Sequence, residues 1–121
     1  MEGHPSTVSQ LLVREGKLFS CSRDNTIKIW STGESRACEQ TLEGHTGAVF
    51  SMVILGDRLR TGSYDETVRV WSMDRGAGAW ECERVLRDHT ETVRAMTITR
   101  DGRRVLSCDT GANMLVWEEA L

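Results

Sequence analysis

One pattern recurs three times along this 121-residue chain and limits what it can fold into. Each copy begins at a histidine and closes with a tryptophan at the end of a β-rich stretch: His4 to Trp30, His45 to Trp71, and His89 to Trp117. The histidine precedes its tryptophan by 26, 26 and 28 residues, and successive tryptophans are 41 and 46 residues apart. A period of this length is typical of repeat proteins, in which each unit buries its apolar surface by packing on its neighbours.

Short strands separated by turn residues make up each copy, and almost no segment has a helical period. The second copy shows four of them: AVFSMVI at 48–54, RLRTGS at 58–63, TVRVWS at 67–72 and WECERVL at 80–86. The near-continuous apolar run at 48–54 is typical of a strand covered on both faces. Four strands in about 40 to 45 residues correspond to one blade of a β-propeller, so we predict an all-β chain of stacked blades.

The composition excludes several classes of protein. No apolar run in the sequence approaches the roughly 18 residues of a membrane span, so we expect no membrane partner. A total of 15 Lys and Arg against 18 Asp and Glu gives a net charge of −3, which does not attract phosphates, so no nucleic-acid partner is expected. The first residues lack a basic start followed by an apolar stretch, which predicts a cytoplasmic protein, with the nucleus as the alternative.

The four cysteines, Cys21, Cys38, Cys82 and Cys108, include no C-x-x-C pair. This spacing argues against a zinc site or a redox motif, so we predict no metal and no cofactor. In a reducing compartment the thiols stay free, and we expect them to behave as small buried apolar side chains.

Several residues of the pattern resemble the WD40 repeats, a family of β-propeller proteins. They are the Gly-His pairs at 3–4 and 44–45, the aspartates Asp24 and Asp65 before the last strand, and the closing Trp30, Trp71 and Trp117. The resemblance covers nearly the whole chain and implies one array over residues 1–121, with repeats at about 3–43, 44–87 and 88–121. No copy keeps an aspartate after the tryptophan. The third has Gly111 where the others have Asp24 and Asp65, so we expect the third repeat to be degenerate.

The WD40 resemblance also implies a hydrogen-bonded relay in each repeat, which runs from the histidine loop to the tryptophan indole and fixes the blade. The matching residues are His4, Ser22, Asp24 and Trp30 in the first repeat, His45, Ser63, Asp65 and Trp71 in the second, and only His89 and Trp117 in the third. Buried polar groups without partners cost about 1 to 3 kcal/mol each, and a relay satisfies them. With Gly111 in place of an aspartate, the third repeat should be the least protected from hydrogen exchange.

Serine, histidine and aspartate are also the residues of a hydrolase triad, which gives an alternative interpretation. The sequence has no G-x-S-x-G elbow that would present a nucleophilic serine. The set also occurs in two repeats, whereas an enzyme needs one triad. We therefore predict a non-enzymatic protein, with a hydrolase that uses Ser63 and His45 as the less favoured alternative.

Protein and peptide partners are what the WD40 resemblance implies, bound on the face with the histidine loops and the turns before the last strands. The candidate contact residues on that face are Arg23, Tyr64, Thr110, Phe50 and Arg94. Tyrosine and arginine are frequent anchors of protein interfaces. The alternative is that Phe50 packs in the core and the arginines are merely solvated.

Three blades do not close a normal propeller, which typically has about four to eight. We expect 11 strands, because the third repeat lacks a fourth strand, and an apolar flank at each end of the stack. Two copies would complete a six-bladed ring, so a homodimer is the predicted assembly and a nine-bladed trimer is less favoured. Two alternatives stay open: a self-assembling segment with a purely structural role, and a segment of a longer propeller.

Overall fold

The computed structural model describes residues 4–33, 37–74 and 78–118 of the chain. It contains the strands β1 (Val8–Arg14), β2 (Lys17–Ser22), β3 (Ile27–Ser31), β4 (Cys38–Leu42), β5 (Val49–Leu55), β6 (Arg58–Ser63), β7 (Val68–Asp74), β8 (Ala79–Leu86), β9 (Val93–Ile98), β10 (Arg104–Asp109) and β11 (Met114–Glu118). They form antiparallel sheets in the orders β1-β2-β3-β4, β5-β6-β7-β8 and β9-β10-β11, which we name blades one, two and three. The prediction of an all-β, three-blade segment with 11 strands is confirmed.

Local sequence explains the strand boundaries. The four strands predicted in the second repeat coincide with β5 to β8 to within two residues. The turn between β5 and β6 consists of Gly56 and Asp57, and Gly56 has a φ of +61°, which glycine adopts without steric cost. The longer turn between β9 and β10 is held by the Thr99 hydroxyl, which donates to Asp101 at 2.7 Å.

Blade one packs one of its faces against blade two. Residues paired across antiparallel strands share a face, so each blade has a tryptophan face, which carries the closing indole, and an opposite face. In blade one, Phe19 and Ile29 are paired on the opposite face. In blade two, Leu59 is paired with Trp71 on the tryptophan face. All four side chains belong to one buried core, so the opposite face of blade one meets the tryptophan face of blade two.

Two glutamine side chains of blade one reinforce this contact by bonding to the backbone of blade two. Gln10 Nε2 donates to the Met52 carbonyl at 2.9 Å, and the Met52 amide donates back to Gln10 Oε1 at 3.0 Å. Gln40 makes the same pair of bonds with Trp80, at 2.6 and 2.8 Å. Met52 and Trp80 lie on β5 and β8, the two edge strands of blade two, whose outward backbone groups have no strand partner. The glutamine amides bond to these backbone groups instead.

Blade two packs its opposite face against the tryptophan face of blade three, as blade one does against blade two. Gly62 and Ser51 lie on its opposite face, and Val93 of blade three occupies the space that a side chain at Gly62 would need. Arg60 lies on the same face and is only 4% exposed. Arg60 is therefore buried despite its charge, on the face that packs against blade three.

The two outer flanks of the stack remain open. Blade one presents its tryptophan face, on which Leu11 and Val13 are 61% and 66% exposed. Blade three presents its opposite face, on which Met114 and Val116 are 64% and 56% exposed. The predicted apolar flanks are thus present in the chain, whereas closure of the ring stays a prediction.

The four cysteines are free thiols. Cys21 is buried, and burial raises the pKa of its thiol to about 12. The prediction that the cysteines are buried is wrong for Cys38 and Cys82, which lie exposed on the outermost strands β4 and β8. Over residues 4–33, 37–74 and 78–118, no three His, Cys, Asp or Glu side chains converge as metal ligands. That same part of the chain includes no helix with the length and apolar character needed to cross a membrane.

Substitution of Gly62 by alanine tests the contact between blades two and three. A Cβ atom at this position would lie 2.6 Å from Val93 Cγ1 and 2.8 Å from Ser51 Oγ. We expect Gly62→Ala to lower the free energy of unfolding by about 1 to 3 kcal/mol, as overpacking does. Urea denaturation measures this, with the exposed Gly33→Ala as the control. Equal stability of the two variants would contradict the described packing.

Candidate functional site

One end of the stacked blades carries all the polar residues singled out in the sequence. The hairpin turns between the first and second strands lie at the other end, so the histidine loops and the turns between the second and third strands share one end. We name this end the loop face.

A relay of hydrogen bonds lies beneath the loop face in blade one. His4 Nδ1 lies 2.7 Å from Asp24 Oδ2, and His4 Nε2 lies 2.7 Å from Ser20 Oγ. The indole Nε1 of Trp30 donates to the same Ser20 hydroxyl at 3.0 Å. The relay thus joins a loop, a strand, a turn and the next strand.

Blade two has the same relay with threonine at its centre. His45 lies 2.8 Å from Asp65 and 2.7 Å from Thr61 Oγ1, and Trp71 Nε1 donates to Thr61 Oγ1 at 2.9 Å. Asp65 also accepts a bond from the Thr67 amide at 3.0 Å. The carboxylate therefore fixes the turn as well as the histidine.

Blade three completes the relay too, which corrects the expectation that it is degenerate. His89 lies 2.9 Å from Asp109 and 2.7 Å from Ser107 Oγ, and Trp117 Nε1 donates to Ser107 at 2.8 Å. The expectation rested on Gly111, but the carboxylate comes from Asp109. This removes the physical reason to expect the least hydrogen-exchange protection in the third repeat.

A shift of two residues explains the error. Ala112 has a φ of +66°, and the residues after Asp24 and Asp65 have equally positive values, so Gly111 does lie at the aspartate position of the turn. Asp109 lies two residues earlier, and its Oδ1 accepts from the Gly111 amide at 2.9 Å. The signal was available in the sequence, because the histidine precedes its aspartate by 20 residues in every repeat.

The serines predicted for the relay, Ser22 and Ser63, have a different role. The Ser22 hydroxyl donates to the Thr7 carbonyl at 2.9 Å and accepts from the Asp24 amide at 3.1 Å. The Ser63 hydroxyl donates to the Gly47 carbonyl at 3.0 Å and accepts from the Asp65 amide at 3.1 Å. These serines hold the turn against the histidine loop, so their assignment to the relay is wrong.

The relay hydroxyls were identifiable by a second spacing. Ser20, Thr61 and Ser107 each precede the tryptophan of their repeat by ten residues. They lie inside the second strand, on the tryptophan face, whereas Ser22 and Ser63 lie at its end. Only the position inside the strand brings a hydroxyl between the indole and the imidazole.

The donors and acceptors available in each relay determine which group donates in each hydrogen bond. The indole N–H donates to the hydroxyl oxygen, the hydroxyl donates to Nε2 of a neutral histidine, and Nδ1–H donates to the carboxylate. The histidine therefore carries its proton on Nδ1, because this tautomer places one proton in each hydrogen bond of the relay. Each polar atom that links the indole, the hydroxyl, the imidazole and the carboxylate then has a partner.

The relay carboxylates are held in the charged form. Burial raises the pKa of Asp65, but bonds from His45 and Thr67 outweigh it and leave this pKa well below its usual range. The pKa of Asp109 falls to about 2, because bonds from His89 and Asn113 outweigh its burial. The pKa of Asp24 is lowered in the same way.

The distances within two relays match a serine hydrolase triad, yet the surroundings do not. Ser20 and Ser107 are 3% and 0% exposed, and each already accepts an indole N–H. A triad nucleophile must face a substrate and an oxyanion hole. In the hydrolase alternative, Ser63 would contact His45, but the hydroxyl that contacts His45 belongs to Thr61. The geometry supports a buried structural relay.

Three candidate binding residues occupy equivalent positions on the loop face. The backbone amides of Arg23, Tyr64 and Thr110 donate to the carbonyls of Thr7, Ala48 and Thr92, at 2.9, 2.9 and 3.0 Å. All three side chains are exposed, and Tyr64 is 64% exposed. The backbone is thus fixed while the side chains face solvent.

The other two candidates, Phe50 and Arg94, form a cluster with Arg23. The Arg94 guanidinium carbon lies 4.5 Å from the centre of the Phe50 ring, and that of Arg23 lies 5.8 Å from it. Phe50 is half-buried on β5 rather than packed in the core. Cation–π contacts at exposed sites contribute about 0.5 to 1 kcal/mol. We name these three residues the arginine–phenylalanine cluster.

Removal of the central hydroxyl tests the contribution of the relay to stability. Thr61→Val keeps the shape of the side chain but leaves the Trp71 indole and His45 Nε2 buried without a partner. We expect the free energy of unfolding to fall by about 2 to 6 kcal/mol, since each of the two stranded groups costs about 1 to 3 kcal/mol. The control is Thr90→Val on an exposed loop. A loss as small as that of the control would rule the relay out as a stabilising element.

The pH dependence of stability tests the carboxylates. The pKa of Asp109 is depressed in the folded state, so its contribution is present above the unfolded pKa of about 3.9 and is lost as the pH falls towards the folded pKa. We expect the urea midpoint of the wild type to fall between about pH 5 and pH 2, and Asp109→Asn to fall less steeply. Asp88→Asn, at an exposed site, is the charge-matched control. Parallel curves for the wild type and Asp109→Asn would contradict the assignment.

Comparison with known proteins agrees with this geometry. A crystal structure of the computationally designed Ika8 protein matches with a TM-score of 0.79 and 25% identity, over 98% of this chain and 35% of that chain. The chain therefore spans about a third of the length of that protein. In all, 745 chains of solved structures match, so the fold is too widespread to identify one function. No protein of curated function matches the sequence.

The family comparison covers most of the chain. The model of the WD domain, G-beta repeat, matches residues 1–31, 36–72 and 80–118, and each match ends just after a closing tryptophan. The resemblance noted in the sequence is thereby confirmed. The chain belongs to the WD40 family.

Proposed function

We propose that this protein is a non-enzymatic interaction scaffold whose loop face binds peptide segments of protein partners. The observation that carries the proposal is the arrangement of exposed contact residues over a rigid base. Tyr64 and the arginine–phenylalanine cluster face solvent, while three relays fix the backbone beneath them. A preorganised surface loses little entropy on binding, and exposed tyrosine and arginine supply the contact energy.

Selection of peptides against the full chain tests this proposal. We expect a displayed random-peptide library to yield binders that lose about tenfold in affinity with Tyr64→Ala, the effect of removing an interface anchor. Arg14→Ala is the control, because Arg14 is exposed at the other end of the blades. The proposal fails if no peptide is selected, or if the selected peptides bind both variants equally.

We also propose that the open flanks pair two copies of the chain. Both contacts between blades join an opposite face to a tryptophan face. The free flanks are one of each kind: the tryptophan face of blade one and the opposite face of blade three. A second copy supplies the matching face at both flanks, so two copies stacked head to tail close a six-bladed ring with twofold symmetry.

Light scattering over a range of concentrations tests this pairing. We expect a mass of twice 13.6 kDa and a loss of the dimer with Leu11→Lys or Val116→Lys, because a lysine in an apolar interface is left buried without a partner. Tyr64→Lys adds the same charge to an exposed side chain away from the flanks and is the control. A wild-type monomer throughout the range would contradict the pairing, and a trimer would replace it with a nine-bladed ring.

A reducing compartment fits the cysteine chemistry. Cys38 and Cys82 are exposed free thiols, which persist where glutathione keeps cysteines reduced. The proposed location is therefore the cytoplasm, with the nucleus as the alternative.

A further inference from the structure

We infer that the arginine–phenylalanine cluster is an anion-recognition site and that the peptides bound on the loop face carry acidic side chains. This inference rests on the proposed scaffold function and specifies the chemistry of its ligand. The cluster draws one residue from each blade: Arg23 from the turn of blade one, Phe50 from the first strand of blade two, and Arg94 from the first strand of blade three.

The two guanidinium groups share one aromatic ring and no carboxylate. Within the described residues, neither Arg23 nor Arg94 forms an ion pair or a side-chain hydrogen bond, and both are exposed. A cation on a ring face keeps its N–H donors directed outward, since the ring carries no lone pair to accept them. Two positive groups therefore present unused donors to solvent, and an anion between them would relieve their mutual repulsion.

The relays explain why the turn aspartates of blades one and two do not fill this role. Asp24 lies next to Arg23 in sequence, but its carboxylate is bound by His4 and by the Thr26 amide. The turn aspartate of blade two is bound by His45 in the same way. These two carboxylates are engaged by the relays, so they are not available to pair with the cluster although acidic residues outnumber basic ones in the whole chain.

The aromatic ring also favours an organised site over a simple charged patch. Contact with Phe50 restricts the rotamers of both arginines, so less side-chain entropy is lost when an anion binds. Guanidinium groups match the geometry of carboxylates and phosphates through paired N–H bonds. The spread of the cluster over three blades, with Tyr64 exposed on the same face, fits an extended peptide better than a small ion.

Fluorescence anisotropy with defined probes tests the inference. The probes are labelled oligoglutamate, oligoglutamine of equal length, a Gly-Ser peptide with one phosphoserine, and single-stranded oligouridine. We expect oligoglutamate to bind and oligoglutamine not to bind. Arg94→Gln and Arg23→Gln should each weaken oligoglutamate binding by about tenfold, as loss of a charge-assisted hydrogen bond does.

The matched control is Arg14→Gln, which removes the same charge at the other end of the blades and should change the affinity by less than about twofold. Phe50→Leu keeps an apolar side chain but removes the ring that orients both arginines, so it should weaken binding. Thermal unfolding of each variant shows that it is folded. If the phosphoserine peptide binds more tightly than oligoglutamate, the anion is a phosphate on a peptide, and if less tightly, it is a carboxylate; both support the site.

Three results would overturn the inference. They are equal losses with Arg14→Gln and Arg94→Gln, equal binding of oligoglutamine and oligoglutamate, and tightest binding of oligouridine, which would make the ligand a nucleic acid. Library peptides that require Tyr64 but contain no acidic residue would also refute it while leaving the scaffold function intact. Absence of any library binder would refute both proposals.

Discussion

The hydroxyl at the centre of each relay is the contact on which the blade architecture depends. The interface between two propeller blades excludes water, so an indole N–H and an imidazole placed there must find partners within the chain. One hydroxyl of Ser20, Thr61 or Ser107 serves both groups, because it accepts from the indole and donates to the histidine. The histidine loop, the second strand and the third strand are thereby fixed to one atom. The aspartate extends the constraint to the turn, and so determines the backbone of the loop face.

The same constraint determines how the relay carboxylates are used. Each repeat orients its histidine with an aspartate at or just before the turn, so these three carboxylates are engaged inside the chain. Among the described residues, Arg23 and Arg94 form no ion pair, and the guanidinium groups of both contact the Phe50 ring, although acidic residues outnumber basic ones in the whole chain. An internal requirement of stability thus keeps the nearest turn aspartate, Asp24, from pairing with the cluster, and the binding proposal follows from the fold.

The sequence predicted the strands well because each depends on local patterns. Apolar runs bounded by glycine and aspartate turns place β5 to β8 within two residues of their positions. The relay is predicted less well, because the spacing between its aspartate and its tryptophan changes in the third repeat. That repeat has two extra residues before its hydroxyl and Asp109 in place of a serine, so counting back from the tryptophan gives Gly111. Spacing from the histidine gives 20 residues in each repeat and identifies Asp109.

Contacts between repeats could not be predicted from the pattern of any one repeat. The meeting of Phe50 with Arg23 and Arg94 depends on how three blades are rotated against each other, as does the burial of Arg60. The alternation of side chains along a strand indicates which faces of neighbouring blades meet, because residues paired across strands lie on the same face. It does not give the angle between blades, which depends on how side chains such as Val93 fit against Gly62.

The two proposed interactions place different demands on the chain. The arginine–phenylalanine cluster is complete within three consecutive blades, because its residues come from one, two and three in turn. Its geometry requires the two internal blade contacts and not the outer flanks. The flanks, by contrast, are incomplete in a single copy, since Leu11 and Val116 lie exposed on faces whose counterparts inside the chain are buried. A lysine on a flank should therefore abolish pairing and leave anion binding unchanged, so the ligand site and the assembly are separable properties of one stack.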